Sequence, residues 1–183
     1  MASSGTRGNT PTWRVVVVMG VSGTGKTTIV PLLADRLRVD HTDGDDFHPA
    51  ANIAKMTAGI PLTDADRWPW LDAVGGWARD RSGRGGVVGC SALKRAYRDR
   101  LRAAAPDLVF VHLAGDRALV EERMRHRADH FMPAALLDSQ YADLQPLQAD
   151  EVGVTVDVTG TPTEVTDRAV AGLARLGVGP HGA

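Results

Sequence analysis

The chain is poor in cysteine: Cys90 is the only one in 183 residues. No internal disulfide can form, which excludes a disulfide-stapled scaffold and fits a reducing compartment. Aromatic residues make up 5% of the chain, with no interleaved basic-aromatic array of the kind that stacks nucleic-acid bases. An excess of either charge is also missing, since 21 Lys and Arg stand against 22 Asp and Glu for a net charge of −1. No global field therefore draws the protein to nucleic acid or to an anionic membrane, and an anionic ligand has to be caught by local groups. No apolar run approaches the roughly 18 residues of a membrane span. The opening MASSGTRGNTPT lacks the apolar core of a signal peptide. The expectation is a cytoplasmic protein with flexible tails at residues 1–12 and 178–183 and one domain over 13–177.

What is present is alternation. Arg14 to Met19 is a β-branched apolar run of the kind buried on both faces of a sheet. Further short strands are expected at 39–42, 87–90, 108–113 and 152–158. Helices are expected at 27–37, 50–57, 64–80, 93–104, 116–127, 133–144 and 162–176, with Thr63 or Asp64 as a cap. Pro31 should weaken or kink the first helix, and Pro69, Gly75 and Gly76 should make the third irregular. Gly83 to Gly86 reads as a loop. Strands alternating with helices predict a parallel α/β sheet covered on both faces, with ligands at the carboxyl ends of the strands. Two connections, 44–63 and 127–147, exceed what simple turns need and suit binding loops or a lid.

Immediately after the first strand, Gly20-Val21-Ser22-Gly23-Thr24-Gly25-Lys26-Thr27 matches G-x-x-x-x-G-K-[ST] at every position. A polyphosphate needs several backbone N–H groups aimed at one small volume, and glycines permit both the dihedrals and the close approach. The helix that follows adds its positive end, and Thr28 continues its first turn. Lys26 supplies a point charge for the β and γ phosphates, and the Thr27 hydroxyl suits Mg²⁺, which prefers oxygen ligands. ATP or GTP with magnesium is the expected ligand. The second strand runs into Thr42-Asp43-Gly44-Asp45-Asp46-Phe47-His48. Asp43 and Asp45 are two apart, so an extended backbone aims both the same way. Beside a Mg-triphosphate one carboxylate could hold metal-bound water, and the other could orient an acceptor hydroxyl and take its proton.

Several segments in fixed order resemble the small, P-loop type of gluconokinase: MGVSGTGKTT, DGDDFHP, NIAKMTAGIPLTDADRWPWL, CSALKRAYRDRLR, and HFMP with LDSQ. The likeness runs from about residue 15 to residue 160 and is far more specific in the middle segments than in the phosphate loop. It implies a three-layer P-loop NTPase fold akin to nucleoside monophosphate kinases and shikimate kinase, with a five-stranded parallel sheet and a helical lid at about 127–147. It further implies ATP-dependent phosphorylation of D-gluconate at its 6-hydroxyl, and a homodimer. Carried over position by position, it implies Lys26, Asp45 and Arg127 as catalytic residues and Asp43 with Thr27 at the metal. It implies Asp45, His48, Lys55, Arg67, Ser91, Lys94, Arg98, His130 and Gln140 around the substrate. The chain departs from the family pattern at Asp129, where a glycine is usual, and at Gln145 and Gln148, where glutamates are usual.

Each residue also has a plainer reading. Lys94 and Arg98, four apart on one helix, could form a solvated basic face. Arg67 follows Asp64 and Asp66 and could be a local ion pair. Arg123 and Arg127 could be surface arginines. His112 reads as a satisfied core histidine, and Cys90 as a small buried hydrophobe. Trp68, Trp70 and Trp77 fit core packing or a sugar pocket equally well. Two further functions stay open: a kinase of the same fold for another hydroxylated acid such as shikimate, and a nucleotide-dependent module without catalysis.

Overall fold

A computed structural model describes residues 13–126 and 134–179. In it the chain runs β1 (Trp13–Met19), α1 (Lys26–Leu37), β2 (His41–Asp43), a one-turn 3₁₀ helix (Gly44–Phe47), α2 (Ala50–Thr57), α3 (Asp64–Arg79), β3 (Arg84–Gly89) and α4 (Arg95–Ala104). It continues with β4 (Val109–Ala114), α5 (Arg117–Arg125), α6 (Ala134–Asp143), β5 (Gly153–Asp157) and α7 (Pro162–Arg175). Among the described residues the strands form a five-stranded sheet in the order β2-β3-β1-β4-β5, every neighbouring pair parallel. This is the expected three-layer α/β arrangement.

β1 sits at the centre of the sheet, and its side chains alternate between two cores. Val16 and Val18 face Ile29, Val30 and Leu33 of α1 and Val165, Ala169 and Leu173 of α7. Val15, Val17 and Met19 face Trp70, Leu71 and Val74 of α3 and Tyr97 and Leu101 of α4. Burial on both sides explains why the strand is apolar throughout instead of alternating with polar residues.

The helices hold better than their composition suggests. α1 continues through Pro31, and α3 runs unbroken through Pro69, Gly75 and Gly76. Thr63 caps α3 and Asp66 returns the bond, a complete capping box. Gly75 is where α3 approaches α4, since a Cβ there would lie 2.8 Å from the Ala104 methyl. The expected loop at 83–86 is corrected from Arg84 onward: β3 begins there, and side chains at Gly85 and Gly86 would meet Val39 at 2.9 Å and Trp77 at 2.9 Å. Gly85 also has a φ of 80° and closes a turn by donating its N–H to the Arg81 carbonyl at 3.0 Å, whereas Gly86 makes room for Trp77.

Arg98 needs a second correction. It is fully buried on α4, not part of an exposed basic face. Its Nε and Nη2 donate to the two carboxylate oxygens of Glu151 at 2.7 and 2.8 Å. Nη1 donates to the carbonyls of Ala92 and Leu93, and Nη2 also to Pro146. The five guanidinium protons thus have five acceptors. Burial works to raise the Glu151 carboxyl pKa, but the bonds from Arg98 and from the Gln148 N–H, with the charges of Arg98 and Arg95, together outweigh it and the net shift is downward. The pair ties α4 to the segment between α6 and β5. Gln145 and Gln148 serve the same joint: Gln145 Oε1 accepts from the Arg95 backbone N–H at 2.6 Å, and Gln148 Oε1 accepts from Arg95 Nη1 at 2.8 Å.

His112 is buried in β4 as expected, but not satisfied, because its Nδ1 has no partner. Cys90 is buried and its thiol is pushed up to about 12 by burial, so it behaves as a hydrophobe.

Breaking one half of a buried ion pair strands the other half. Arg98→Met should therefore lower unfolding free energy by about 3–5 kcal/mol in urea titration. Arg98→Met combined with Glu151→Leu should be more stable than Arg98→Met alone.

Candidate functional site

The turn after β1 is wound by its glycines. Gly20, Gly23 and Gly25 have φ of 147°, 84° and 98°, values that side chains with a Cβ rarely adopt. Gly25 ends the turn as the residue preceding α1. Thr24 is buried, and its hydroxyl donates to the Val21 carbonyl at 2.8 Å. Lys26 Nζ reaches back to donate to the carbonyls of Gly20 and Val21 at 2.9 and 3.0 Å. With the carbonyls gathered on the lysine side, the other side of the loop is left to amide N–H groups and the start of a helix, a ready anion cradle.

The acidic turn lies two strands away at the same edge. β3 residue Gly89 pairs with Val18 of β1 on one side and Asp43 of β2 on the other. A Cβ at Gly89 would sit 4.0 Å from both Asp43 Oδ1 and Lys26 Cβ. Asp43 Oδ1 accepts the Asp45 backbone N–H at 3.0 Å and so caps the 3₁₀ turn. Burial raises the Asp43 pKa, the bond from Asp45 N–H opposes this, Asp45 and Asp46 add to the rise, and Lys26 opposes it. The extended-strand argument for a common aim of Asp43 and Asp45 does not hold, because Asp45 is already in the 3₁₀ turn. Both nevertheless border one cavity of about 1210 Å³ together with Ser22, Gly23, Gly25, Lys26 and Thr27. The Asp45 side chain is 77% exposed.

His48 forms part of the floor of this cavity. Its ring stacks on Trp70 with centroids 4.3 Å apart, and Trp70 Nε1 donates to the Gly44 carbonyl at 2.7 Å. Trp70 thus both packs the core and holds the acidic turn. Burial, reinforced by the charge of Arg67 and opposed by Asp43, lowers the His48 pKa to about 4. The ring is therefore neutral at pH 7. Asn52 Nδ2, a donor only, lies 3.3 Å from His48 Nδ1, which places the ring proton on Nε2, 3.7 Å from Asp45 Oδ1.

The cavity also takes in Arg67, Ser91 and Gln140 from the expected set, and Asp46, Met124, Leu136 and Ser139 from outside it. Arg67 donates to the Tyr97 hydroxyl at 2.7 Å and lies 3.6 Å from Asp143. Lys55 and Lys94 do not border the cavity. Lys55 donates to both carboxylate oxygens of Asp66 at 2.8 Å, and Lys94 pairs with Asp64 at 3.1 Å and Asp143 at 3.5 Å. Arg98, turned to Glu151, faces the core and not the cavity. Arg127, His130 and Asp129 lie outside the described residues, as do 127–133 of the expected lid. Asn52 and Asp143 do not border the cavity but contact residues that do, His48 and Arg67, without having been expected to. Asn52 is four residues beyond His48 on the same chain turn, a spacing that could draw attention, whereas Asp143 acts only through partners distant in sequence.

A second cavity, of about 510 Å³, lies against the same loop. It is bordered by Gly23, Thr24, Gly25 and Thr28, by Arg123 and His126 at the end of α5, and by Gly160 and Pro162 after β5. Arg123 is held there by donating to the Val158 carbonyl at 2.6 Å. Two hollows meeting at one cradle suit two ligands that exchange a phosphoryl group.

Thr27 and Asp43 offer a hydroxyl and a carboxylate to the larger cavity, hard oxygen donors that fit Mg²⁺.

No family model matches the chain. Curated relatives do. It is 45% identical over 159 residues to a gluconokinase of Gluconobacter oxydans (strain 621H), covering 86% of this chain and 89% of that protein. It is 44% identical to the thermosensitive gluconokinase of Escherichia coli (strain K12), covering 83% of each. Among solved structures, a gluconokinase from Sinorhizobium meliloti 1021 superposes with a TM-score of 0.84 at 47% identity, over 90% of this chain and 93% of that one. An APS kinase from Mycobacterium tuberculosis superposes with a TM-score of 0.60 at 16% identity, a likeness of fold alone, over 90% and 99% of the two chains.

His48 and His112 are both held near a pKa of about 4, against about 6.5 when unfolded. For a depressed histidine the unfolded state binds the extra proton, so stability falls as pH drops from about 6.5 to about 4. The loss should be on the order of 1–3 kcal/mol per histidine. Thermal melts across that range should show it, and His112→Leu should flatten the slope.

Proposed function

The chain belongs to the gluconokinase family, and from that premise we propose that it transfers the γ-phosphoryl group of ATP to the 6-hydroxyl of D-gluconate, giving 6-phospho-D-gluconate and ADP. The observation that carries this reading is the register at Gly89, which sets the Lys26 cradle and the Asp43–Asp45 turn on two sides of one cavity.

The nucleotide would lie across the loop, with its base in the hollow bordered by Arg123 and Gly160 and its phosphates over the amides of Gly23 to Thr28. Lys26 would exchange its two carbonyl partners for phosphate oxygens, drawing charge toward the bond that breaks. Thr27 and Asp43 would hold Mg²⁺, which when bound neutralises charge on the β and γ phosphates. Asp45, well exposed at the mouth, would receive the gluconate 6-hydroxyl as hydrogen-bond acceptor. The hydroxyl oxygen attacks the γ phosphorus, the bond to the β,γ-bridging oxygen breaks, and the hydroxyl proton passes to Asp45 as ADP leaves.

Gluconate is a linear polyol with one carboxylate, so its site needs hydroxyl partners and one cation. Arg67 is the described cation of the expected substrate set that borders the cavity, and His48 and Ser91 offer neutral partners. His48 is suited to a hydroxyl, because its neutral ring presents a proton at Nε2 without adding charge. Lys55 and Lys94 support from behind, through Asp66, Asp64 and Asp143. Arg98 is left out because Glu151 occupies it. Arg127 and His130 rest on the family likeness alone, Arg127 for the charge of the transferring phosphoryl group and His130 for the substrate. A cytoplasmic homodimer that uses ATP and magnesium completes the proposal.

In a coupled assay, ADP release should rise sharply on adding gluconate, and no stimulation would reject the reading. Asp45→Asn should lower kcat by about 100-fold or more while leaving ATP affinity within about twofold. Near-normal turnover would remove Asp45 from its role.

A further inference from the structure

α6 touches the phosphate loop directly, through a contact that the phosphoryl transfer itself does not call on. Ser22 N–H donates to Gln140 Oε1 at 2.7 Å, and Gln140 Nε2 donates to Ser22 Oγ at 3.2 Å, across 118 residues of sequence. One turn earlier on α6, Leu137 is buried against Val21, Leu93 and Val120. α6 therefore rests on the Val21–Ser22 peptide.

That peptide is held from both sides. A trans peptide points its carbonyl and its N–H in opposite directions. The Val21 carbonyl accepts from Lys26 Nζ at 3.0 Å and from Thr24 Oγ1 at 2.8 Å. The Ser22 N–H, on the far side of the same plane, is taken by Gln140. If Lys26 turns to a phosphate, the carbonyl side loses one of its partners. Thr24 stays on the carbonyl side, and Gln140 on the amide side shares with it the work of keeping the plane from rotating and presenting its carbonyl to the phosphates.

We infer that Gln140 is a positioning residue of the phosphate loop: it locks the Val21–Ser22 peptide plane and so couples the seating of α6 to nucleotide binding. This differs from a direct contact with gluconate, the role that the family likeness assigns to Gln140. It rests on the reading of the loop as a phosphate site, but not on the identity of the acceptor.

The test is ADP and ATP binding by calorimetry in the absence of gluconate. Gln140→Met keeps the volume and removes the hydrogen bonds. It should weaken both nucleotides by about fivefold to tenfold, the worth of one or two lost hydrogen bonds. The melting temperature should fall by no more than about 4 °C. In nitrogen-15 spectra the Ser22 amide should lose its protection from hydrogen exchange. Ser22→Ala removes the hydroxyl partner but keeps the N–H, should cost about twofold, and should add nothing further in the Gln140→Met background. Ser22→Ala alone keeps the proposal testable if Gln140→Met does not fold. An effect on ADP affinity as large as tenfold, or none at all, would contradict a lock made mainly by the N–H and only secondarily by the hydroxyl. Unchanged nucleotide affinity in Gln140→Met, or a rise confined to the KM for gluconate, would overturn the inference. A wild-type protein that binds ADP but ignores gluconate would fault the proposed substrate and leave this inference standing.

Discussion

The site depends on one register. Gly89, the last residue of β3, faces Val18 of β1 and Asp43 of β2 at once, so the turns that leave those two strands start level with each other. Strands in a sheet are about 4.8 Å apart, so the cradle and the acidic turn begin roughly 10 Å apart. Close packing keeps them there: a Cβ at Gly44 would lie 2.2 Å from the Gly89 carbonyl oxygen, and one at Gly20 would lie 2.7 Å from the Leu113 carbonyl oxygen. At both positions it is backbone that would be struck, and backbone in a five-stranded sheet cannot retreat cheaply. Phosphoryl transfer is mostly positioning, so a rigid spacing between the cradle and the acidic turn is what the fold contributes.

Around that rigid edge, buried charge is used for joints. Arg98 and Glu151 fasten α4 to the segment that follows α6, and Arg95 repeats the fastening at the surface with Asp150, Gln145 and Gln148. Gln145, accepting from the first N–H of α4, and Gln148, accepting from the Arg95 side chain, act as neutral acceptors. The charges of Arg95 and Arg98 are answered by Asp150 and Glu151. The Arg67–Tyr97 contact, with Asp64 and Asp143 bridging to Lys94, is the corresponding joint beside the cavity. There too the cations are engaged by acids from other elements, and of Arg67, Lys94 and Arg98 it is Arg67 that borders the cavity.

How much of this the sequence revealed depended on distance along the chain. The cradle was legible because eight consecutive residues make it. The strand-helix alternation and the sheet class were legible from local apolar runs. β3 was cut short because Gly85 and Gly86 look like a loop until Val39 and Trp77 are known to press on them. Arg98 was misplaced because helical spacing sets a face but not what covers it, and the covering group is 53 residues away. Asp45 reached the cavity edge by a 3₁₀ turn capped by Asp43, not by strand alternation, a local hydrogen bond that spacing alone does not specify. Lys55 was expected at the substrate, but it donates to both carboxylate oxygens of Asp66, which also completes the capping box of α3.

The two carbonyl partners of Lys26 show how binding and rigidity are joined. Its ammonium group already sits on the carbonyls of Gly20 and Val21, so the loop is braced by the same charge that a phosphate would draw away. An incoming anion therefore competes with an internal acceptor instead of with bulk water alone. The competition is favourable because the bond to a carbonyl is assisted by one charge, whereas phosphate brings a charge of its own and turns the contact into an ion pair. The loop survives the exchange because Thr24 keeps its bond to Val21 and Gln140 keeps its bond to Ser22. A Val21–Ser22 peptide held by Lys26, Thr24 and Gln140 can surrender the first to its ligand, and α6, which carries Gln140, is thereby placed to register whether the exchange has happened.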